Sequence, residues 1–432
     1  MRKFAKTIKK ELAEIVPPTI RQLRPRPMSQ ARTISLLSDV RGASRLVIDL
    51  TLVVTELVET MHHNVARRPG IVGRATFEPT RGITGLVYRS VRGITRMVGG
   101  GIDAALAPLV PALAGKASSP GREAVVAALN GVLGDQLFAR NNPLAIAMRI
   151  RVNGRPLEPT PAGIRASVPR SRDRVVVMVH GLCMSDLQWN RGSHDHGRAL
   201  AKDLDATALY LHYNSGRHVS TNGAEFASLL ERLVLRWPVP LREIVLVGHS
   251  MGGLVIRSAF AAAQKHGLSW SGLVRALVFL GTPHHGAALE RGGHGVDMLL
   301  AASPYTVAFT RLGRMRSAGI TDLRHGSVQD EDWQQRDRFA HGCDMRQPHP
   351  LPRDTPCFAI AGSLSKVAPD RGRAPRGDGL VSVASALGRH EDARRDLRIQ
   401  LARQRIAYGT GHLDLLGSKA VHRQMKRWLV DD

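Results

Sequence analysis

A serine stands where it could act as a nucleophile. Residues 248–252 read Gly-His-Ser-Met-Gly, a G-x-S-x-G pattern centred on Ser250. The apolar run Ile244–Val247 before it is typical of a buried strand, and Leu254–Gln264 after it has a helical pattern. A serine on such a sharp turn is strained, and flanking glycines let neighbouring backbone approach it. The pattern predicts a nucleophilic Ser250, the alternative being an ordinary glycine-rich turn.

A serine nucleophile needs a base, and the base needs an orienting carboxylate. Where the serine lies on a strand-to-helix turn, the chain order is serine, acid, histidine. Asp378 lies in a glycine-flanked loop after the apolar run Pro356–Ala361, and His412 ends the glycine-rich segment 409–412 before the last helix. We therefore predict Asp378 and His412 as the partners of the serine. Asp370 is the nearest rival to Asp378, and a simple Asp-Gly turn or a structural histidine is the alternative at each position.

A second element could stabilise negative charge on a reacting carbonyl oxygen. His-Gly-Leu at residues 180–182 follows the apolar run Val175–Val179, about seventy residues before the serine. Backbone N–H groups of Leu182 and Met251 are predicted to converge there as an oxyanion hole. The adjacent Cys183 is interpreted as a small buried hydrophobic residue and not as a nucleophile.

These residues follow short apolar segments that alternate with helical patterns from about residue 174 onward. This alternation predicts an α/β fold with a mostly parallel central sheet and flanking helices. The predicted strands are Val175–Val179, Ala206–Tyr213, Ile244–Val247, Ala276–Leu280, Pro356–Ala361 and Leu397–Tyr408, and the predicted closing helix is Ser418–Leu429.

The chain divides into two predicted regions near residue 170. Residues 1–170 are predicted to form a helical accessory region, with helices expected at Ser44–His63 and Gly121–Phe138. Asn153–Arg172 is interpreted as a linker or as the edge of the next domain. Residues 171–432 form the predicted catalytic domain. The irregular stretch of about 287–353 within it is too long for a plain connection and is predicted to be a lid-like insertion.

The first residues carry the pattern of an amphipathic helix. Phe4, Ile8, Leu12 and Ile15 fall on one face, and lysines fall on the other. Residues 1–26 could therefore contact an anionic membrane surface, although such a helix can equally pack on its own domain.

Net charge, cysteine count and the distribution of apolar residues limit the partners and the cellular location that the sequence predicts. The net charge of +25 could indicate an acidic partner, but no block of like charge interleaved with aromatic residues appears, so nucleic-acid binding is not expected. Three cysteines without metal-ligand spacing do not indicate a disulfide framework. No secretory signal and no uninterrupted apolar run of about 18 residues is evident. A cytoplasmic protein is expected, with peripheral association with a membrane surface as the open alternative.

No cofactor or metal is expected from the motifs. Neither a phosphate-binding nor a dinucleotide-binding glycine pattern occurs after a strand and before a helix. His194, Asp195 and His196 could suggest a metal site, but we interpret them as a solvated loop. His284 and His285 are interpreted as loop-packing residues.

The motifs together resemble the lipase branch of the α/β-hydrolases. The shared segments are Val-His-Gly at 179–181, Gly-His-Ser-Met-Gly-Gly at 248–253, Gly-Thr-Pro-His-His-Gly at 281–286, Asp-Gly-Leu-Val at 378–381 and Gly-His at 411–412. The resemblance covers about residues 174–428 and is closest to bacterial lipase-like proteins and GPI inositol-deacylase-like lipases. It implies cleavage of carboxylic esters, often of lipids, through an acyl-enzyme and without a cofactor.

Two other functions remain open from the sequence. One is an acyltransferase or amidase on the same scaffold, because fold and triad fix acyl chemistry but not the acceptor. The other is a peripheral membrane or scaffold protein whose hydrolase domain is vestigial.

Overall fold

A computed structural model describes residues 120–287, 317–334, 344–369 and 375–430. The helix predicted at residues 44–63, the amphipathic segment 1–26, much of the predicted insertion and Asp370 lie outside the described residues. Within the described part of the chain, no helix is both long enough and apolar enough to cross a membrane.

Eight strands form one sheet, and its topology confirms the predicted α/β fold with a mostly parallel sheet. Five neighbouring pairs in the order β10-β9-β8-β7-β3-β6 are parallel, and β1 and β2 extend the sheet antiparallel at one edge. A separate hairpin pairs β4 with β5. The strands are β1 Arg149–Val152, β2 Arg155–Pro156, β3 Arg174–Val179, β4 Asn190–Arg191, β5 His194–Asp195, β6 Thr207–His212, β7 Glu243–His249, β8 Val274–Leu280, β9 Cys357–Ser363 and β10 Gln404–Tyr408.

Helices cover both faces of this sheet. The helices are α1 Pro120–Ala139, α2 Pro161–Ser167, α3 His196–Asp203, α4 Val219–Arg236, α5 Met251–His266, α6 Ala318–Asp322, α7 Val383–Ala386 and α8 Lys419–Val430. On one face, α1, α4 and α5 pack over the sheet; on the other, α3 and α8 do. Successive side chains of β3 alternate between these two cores, since a strand points its residues to opposite faces in turn. A strand buried on both faces is continuously apolar, as β3 is.

The sheet begins before the boundary that we predict near residue 170. The α1 helix contributes to the larger core, and β1 pairs with β6, so residues 120–156 belong to the same folded unit as the catalytic region. Arg151 of β1 forms buried ion pairs with Glu123 at 3.1 Å and Asp186 at 3.0 Å. Because this strand is short and carries charge, its sequence does not show the apolar character of the central strands.

The described parts of the predicted insertion pack on the same unit. The Ser317 hydroxyl donates to the Gly131 carbonyl of α1 at 2.6 Å. The carboxylate of Asp322 accepts from the Val219 N–H at the start of α4 at 2.7 Å. Residues 317–322 therefore tie the insertion to the helices on one face of the sheet.

Candidate active site

Ser250 occupies the turn between β7 and α5 in a strained conformation. Its φ of 54° and ψ of −125° are unfavourable for a residue with a side chain. The Ser250 N–H donates to the Leu280 carbonyl at the end of β8 at 2.9 Å, which helps to hold the turn. A methyl group at Gly252 would collide with the carbonyl oxygens of Val179 and His180. The turn thus requires a small residue two places after the serine, as the G-x-S-x-G pattern predicts.

Asp378 and His412 form a buried hydrogen-bonded pair. His412 Nδ1 lies 2.7 Å from Asp378 Oδ2, and both residues are at most 5% exposed. Because a carboxylate can only accept, Nδ1 carries the proton and the lone pair of the neutral ring is on Nε2. That nitrogen is buried and makes no hydrogen bond within the described residues, Ser250 included. The ring therefore has the tautomer that a general base requires.

Backbone amides keep the carboxylate ionised. Asp378 Oδ1 accepts from the N–H groups of Leu380 at 2.9 Å and Val381 at 2.8 Å. Burial alone would raise the pKa of Asp378, but the neighbouring His412 and these amides together lower it below its usual value. The carboxylate is consequently available to stabilise a protonated His412.

The serine and the Asp378–His412 pair share the carboxyl edge of the sheet. Ser250 follows β7, the aspartate loop follows β9, and His412 follows β10. Gly281 lies next to Leu280, whose carbonyl accepts from Ser250. A methyl group at Gly281 would lie 3.1 Å from Asp378 Oδ2 and 3.2 Å from His412 Nδ1. The structure thus gathers the predicted residues at one site, with no Ser250–His412 hydrogen bond within the described residues.

The predicted oxyanion donors lie on either side of the serine. Met251 is the first residue of α5, and its N–H has no partner within the helix. Leu182 is in the loop after β3, and its N–H makes no hydrogen bond within the described residues. A methyl group at Gly181 would lie 3.0 Å from the Cβ of Ser250, so this loop runs directly beside the serine. Two unused amides therefore flank the candidate nucleophile.

Adding one methyl group to this loop tests the oxyanion assignment. Gly181→Ala is expected to lower kcat by about 10²-fold, because the new Cβ presses on Ser250 and displaces the Leu182 amide. Gly272→Ala is the matched control, since a methyl group there meets nothing within 4 Å. Steady-state kinetics and thermal unfolding of both variants separate a local effect from misfolding. Unchanged kcat in a folded Gly181→Ala protein would contradict the assignment.

Two buried histidines, His249 and His180, lie beside the site and remain neutral. His249 Nε2–H donates to the His412 carbonyl at 3.0 Å, and its ring lies 4.7 Å from the His412 ring. His180 stacks on Tyr213 at 4.3 Å. Burial lowers the pKa of each ring to about 3 from the usual 6.5. The histidine of the G-x-S-x-G motif is therefore a packing and hydrogen-bonding residue for the His412 loop, a role that its position in the motif does not reveal.

These neutral rings predict a loss of stability in acid. Below pH 6.5 the unfolded chain takes up protons at these positions that the folded chain does not. The free energy of unfolding should thus be highest above pH 6.5. It should fall by about 1.4 kcal/mol per pH unit per ring down to about pH 3, where the folded rings also become protonated. His249→Gln retains a donor and should remove about half of the contribution of these two rings to that slope. Urea unfolding between pH 7 and pH 4.5 measures it, and an identical slope in the variant would contradict this account.

Cys183 is structural. Its φ is 59°, and its Sγ lies against Gly131 of α1, where any side chain would collide with it. Burial raises the pKa of the Cys183 thiol to about 12, so the reactive thiolate is not available near neutral pH. His284 is likewise buried, with its ring 4.8 Å from that of Phe279, which fits the predicted packing role.

Residues 170–345 match the family model described as the PGAP1-like alpha/beta domain. Solved structures also match. The mature lipase BlEst2 of Bacillus licheniformis is 20% identical with a TM-score of 0.39, over 59% of this chain and 91% of that chain. A hyperthermophilic esterase from Pyrobaculum calidifontis is 16% identical with a TM-score of 0.37, over 61% of this chain and 75% of that chain. The comparison with curated proteins gives no significant match. The match to the PGAP1-like model agrees with the resemblance to GPI inositol-deacylase-like lipases that the sequence motifs predict.

Proposed function

We propose that this α/β-hydrolase cleaves carboxylic esters by an acyl-enzyme mechanism, with Ser250 as nucleophile, His412 as base and Asp378 as the orienting carboxylate. The observation that supports the proposal most strongly is the 2.7 Å hydrogen bond between Asp378 and His412, which leaves Nε2 as a buried lone pair. A strained serine lies at the same edge of the sheet. This combination is what activation of a serine hydroxyl needs.

In the first step, His412 Nε2 removes the hydroxyl proton of Ser250 as Oγ bonds to the ester carbonyl carbon. The carbonyl oxygen becomes an oxyanion, which accepts from the N–H groups of Leu182 and Met251. The protonated His412 is stabilised by Asp378 and then gives its proton to the departing alkoxide oxygen. The carbon–oxygen bond breaks, and an alcohol leaves an acyl-Ser250 ester behind.

In the second step, water replaces the alcohol. His412 Nε2 takes a proton from water as the hydroxide oxygen bonds to the acyl carbon. The second oxyanion is held by the same two amides, and collapse expels the oxygen of Ser250, which recovers the proton from His412. The products are a free carboxylic acid and the starting enzyme.

Lipid or acyl esters are the substrate class that we favour. The match to the PGAP1-like domain and the resemblance to GPI inositol-deacylase-like lipases support removal of an acyl group from a lipid alcohol. A p-nitrophenyl ester series of increasing acyl length, measured beside phospholipid and triacylglycerol emulsions, tests this. Long acyl chains or emulsions should give the highest kcat/KM. Hydrolysis confined to acetate-length esters would contradict a lipid substrate while leaving the ester mechanism in place.

The molecule that accepts the acyl group, water or an alcohol, distinguishes a hydrolase from an acyltransferase with the same site. The series should therefore be repeated with alcohol added and both products quantified. Free acid as the main product supports the hydrolase. A transesterified product that dominates at low alcohol concentration would instead assign a transferase, and turnover of amides would assign an amidase.

Attachment to a membrane surface is a separate proposal that rests on the sequence of residues 1–26. Its apolar and basic faces favour an interfacial helix on anionic lipid. The full-length protein should sediment with anionic vesicles at low salt and much less with neutral ones. Deleting residues 1–26 should weaken binding by about 1 kcal/mol per basic residue near the surface, while hydrolysis of a soluble ester survives. Equal binding by the truncated protein would contradict this role.

A further inference from the structure

Three histidines outside the candidate active site meet on the face of the sheet covered by α3 and α8. His194 is the first residue of β5 in the β4–β5 hairpin, His196 begins α3, and His422 lies in α8. One ring nitrogen of each lies within 4.8 Å of the other two. We propose that these three imidazoles bind a zinc ion, at a site distinct from Ser250, Asp378 and His412.

His196 is already oriented as a metal ligand. It is fully buried, contrary to the solvated loop that the sequence suggests, and its Nε2 lies 2.8 Å from the Leu415 carbonyl. Since a carbonyl can only accept, Nε2 carries the proton and Nδ1 carries the lone pair. Metal-bound histidines almost always donate their second N–H to a carbonyl or carboxylate in this way.

His422 is held in the same manner by a carboxylate. Its Nε2 lies 3.0 Å from Asp203 Oδ2, which leaves the lone pair on Nδ1. That Nδ1 is buried and makes no hydrogen bond within the described residues. A buried polar nitrogen without a partner is costly, and a metal ion would satisfy it. Asp203 also binds Lys426 at 2.8 Å, so its position is fixed.

His194 completes the set and connects it to solvent. Its Nε2 lies 2.9 Å from His196 Nδ1, so the two nitrogens share one proton as a hydrogen bond. Metal binding would shift that proton to Nδ1 of His194 and open the pair to the separation of about 3.3 Å found around a tetrahedral ion with Zn–N bonds of about 2.0–2.1 Å. His194 is half-buried and borders an open depression with Gly192 and Ser193, which gives an ion a path from solvent.

The ligand set identifies the class of metal. Imidazole nitrogens suit zinc and its borderline neighbours, whereas calcium and magnesium require oxygen ligands. The ion would connect the β4–β5 hairpin, α3 and α8. His196 also donates to the Leu415 carbonyl, three residues after His412, so the ion would be linked to the loop that carries His412. We therefore assign the ion a structural role, in which it fixes the loop that carries His412 against α3 and α8.

Metal binding can be measured on the full-length chain without any turnover, so its result is independent of the proposed hydrolase function. Protein stripped with a chelator is titrated with Co²⁺ and, in competition with a chromophoric chelator, with Zn²⁺. One equivalent should bind with a Kd below about 1 µM. Bound Co²⁺ should show the intense visible absorption of a tetrahedral site, and Zn²⁺ should raise the Tm while Mg²⁺ does not.

Variants locate the ion. His194→Ala, which changes the ligand that borders the open depression, should weaken Zn²⁺ binding by about 10²-fold or more without unfolding the protein. Asp203→Asn, which touches no ion, should weaken binding by about 10- to 100-fold through His422. His266→Ala, at the C-terminal end of α5, serves as the control and should bind as the wild type does. No stoichiometric binding by the wild type, or binding lost only in the control, would overturn the site.

Discussion

Replacing Ser250 with alanine is expected to lower kcat for ester hydrolysis by about 10⁴-fold or more, with the fold intact. The change removes only Oγ, and the backbone bond from residue 250 to the Leu280 carbonyl remains. No acyl-enzyme can then form. Initial rates on a p-nitrophenyl ester measure the loss, and thermal unfolding checks the fold.

Ser258→Ala is the matched control for this variant. It makes the same chemical change at a buried serine in α5, the helix that follows Ser250, and should leave kcat within a few-fold of the wild type. Turnover above a few per cent of the wild type in pure Ser250→Ala protein would remove Ser250 from the role of nucleophile.

Asp378→Asn is expected to lower kcat by about 10⁴-fold with little change in KM. An amide can donate to Nδ1 of His412, which favours the tautomer with its lone pair on the wrong nitrogen. The asparagine also lacks the charge that stabilises a protonated ring. Substrate binding does not depend on either effect, so the loss should fall on kcat, as measured over a full substrate range.

Asp370→Asn is the informative comparison, because Asp370 is the carboxylate nearest in sequence to Asp378 within the same inter-strand segment. It should retain most of the activity. If Asp370→Asn is crippled and Asp378→Asn is not, the orienting carboxylate has been assigned to the wrong residue.

The central strands and the turn at Ser250 could be predicted because their sequence patterns are compatible with few other local structures. Apolar runs such as Val175–Val179 suit a strand buried on both faces, and β3 spans Arg174–Val179. The order of serine, aspartate and histidine after successive strands places them at one edge of a parallel sheet. Periodicity and chain order therefore suffice for the arrangement of these elements.

The antiparallel edge of the sheet carries a local signal that our interpretation of residues 153–172, as a linker or the edge of the next domain, did not use. Asn153 and Gly154 have φ values of 52° and 74° and form the two-residue turn between β1 and β2. Asn-Gly between two short segments strongly indicates such a hairpin. The predicted last strand, Leu397–Tyr408, is shorter in the structure, at Gln404–Tyr408.

Long-range contacts account for what no local pattern could show. His196 looks like part of a polar loop, yet it is buried because Leu415, more than two hundred residues later, accepts its N–H. Cys183 packs on α1 across about fifty residues of sequence. Burial of this kind depends on which elements contact each other in the folded protein, and the local pattern of a single sequence does not show those contacts.

Covalent labelling with a fluorophosphonate probe tests the central claim most directly. Such a probe phosphonylates only a serine that a neighbouring base activates, and it requires no knowledge of the natural ester. We expect one adduct per chain, located at Ser250 by peptide mass spectrometry and lost in Ser250→Ala. Labelling should also fall steeply in Asp378→Asn. A folded protein that remains unlabelled, or one labelled at a different serine, would contradict the assignment of Ser250 as an activated nucleophile.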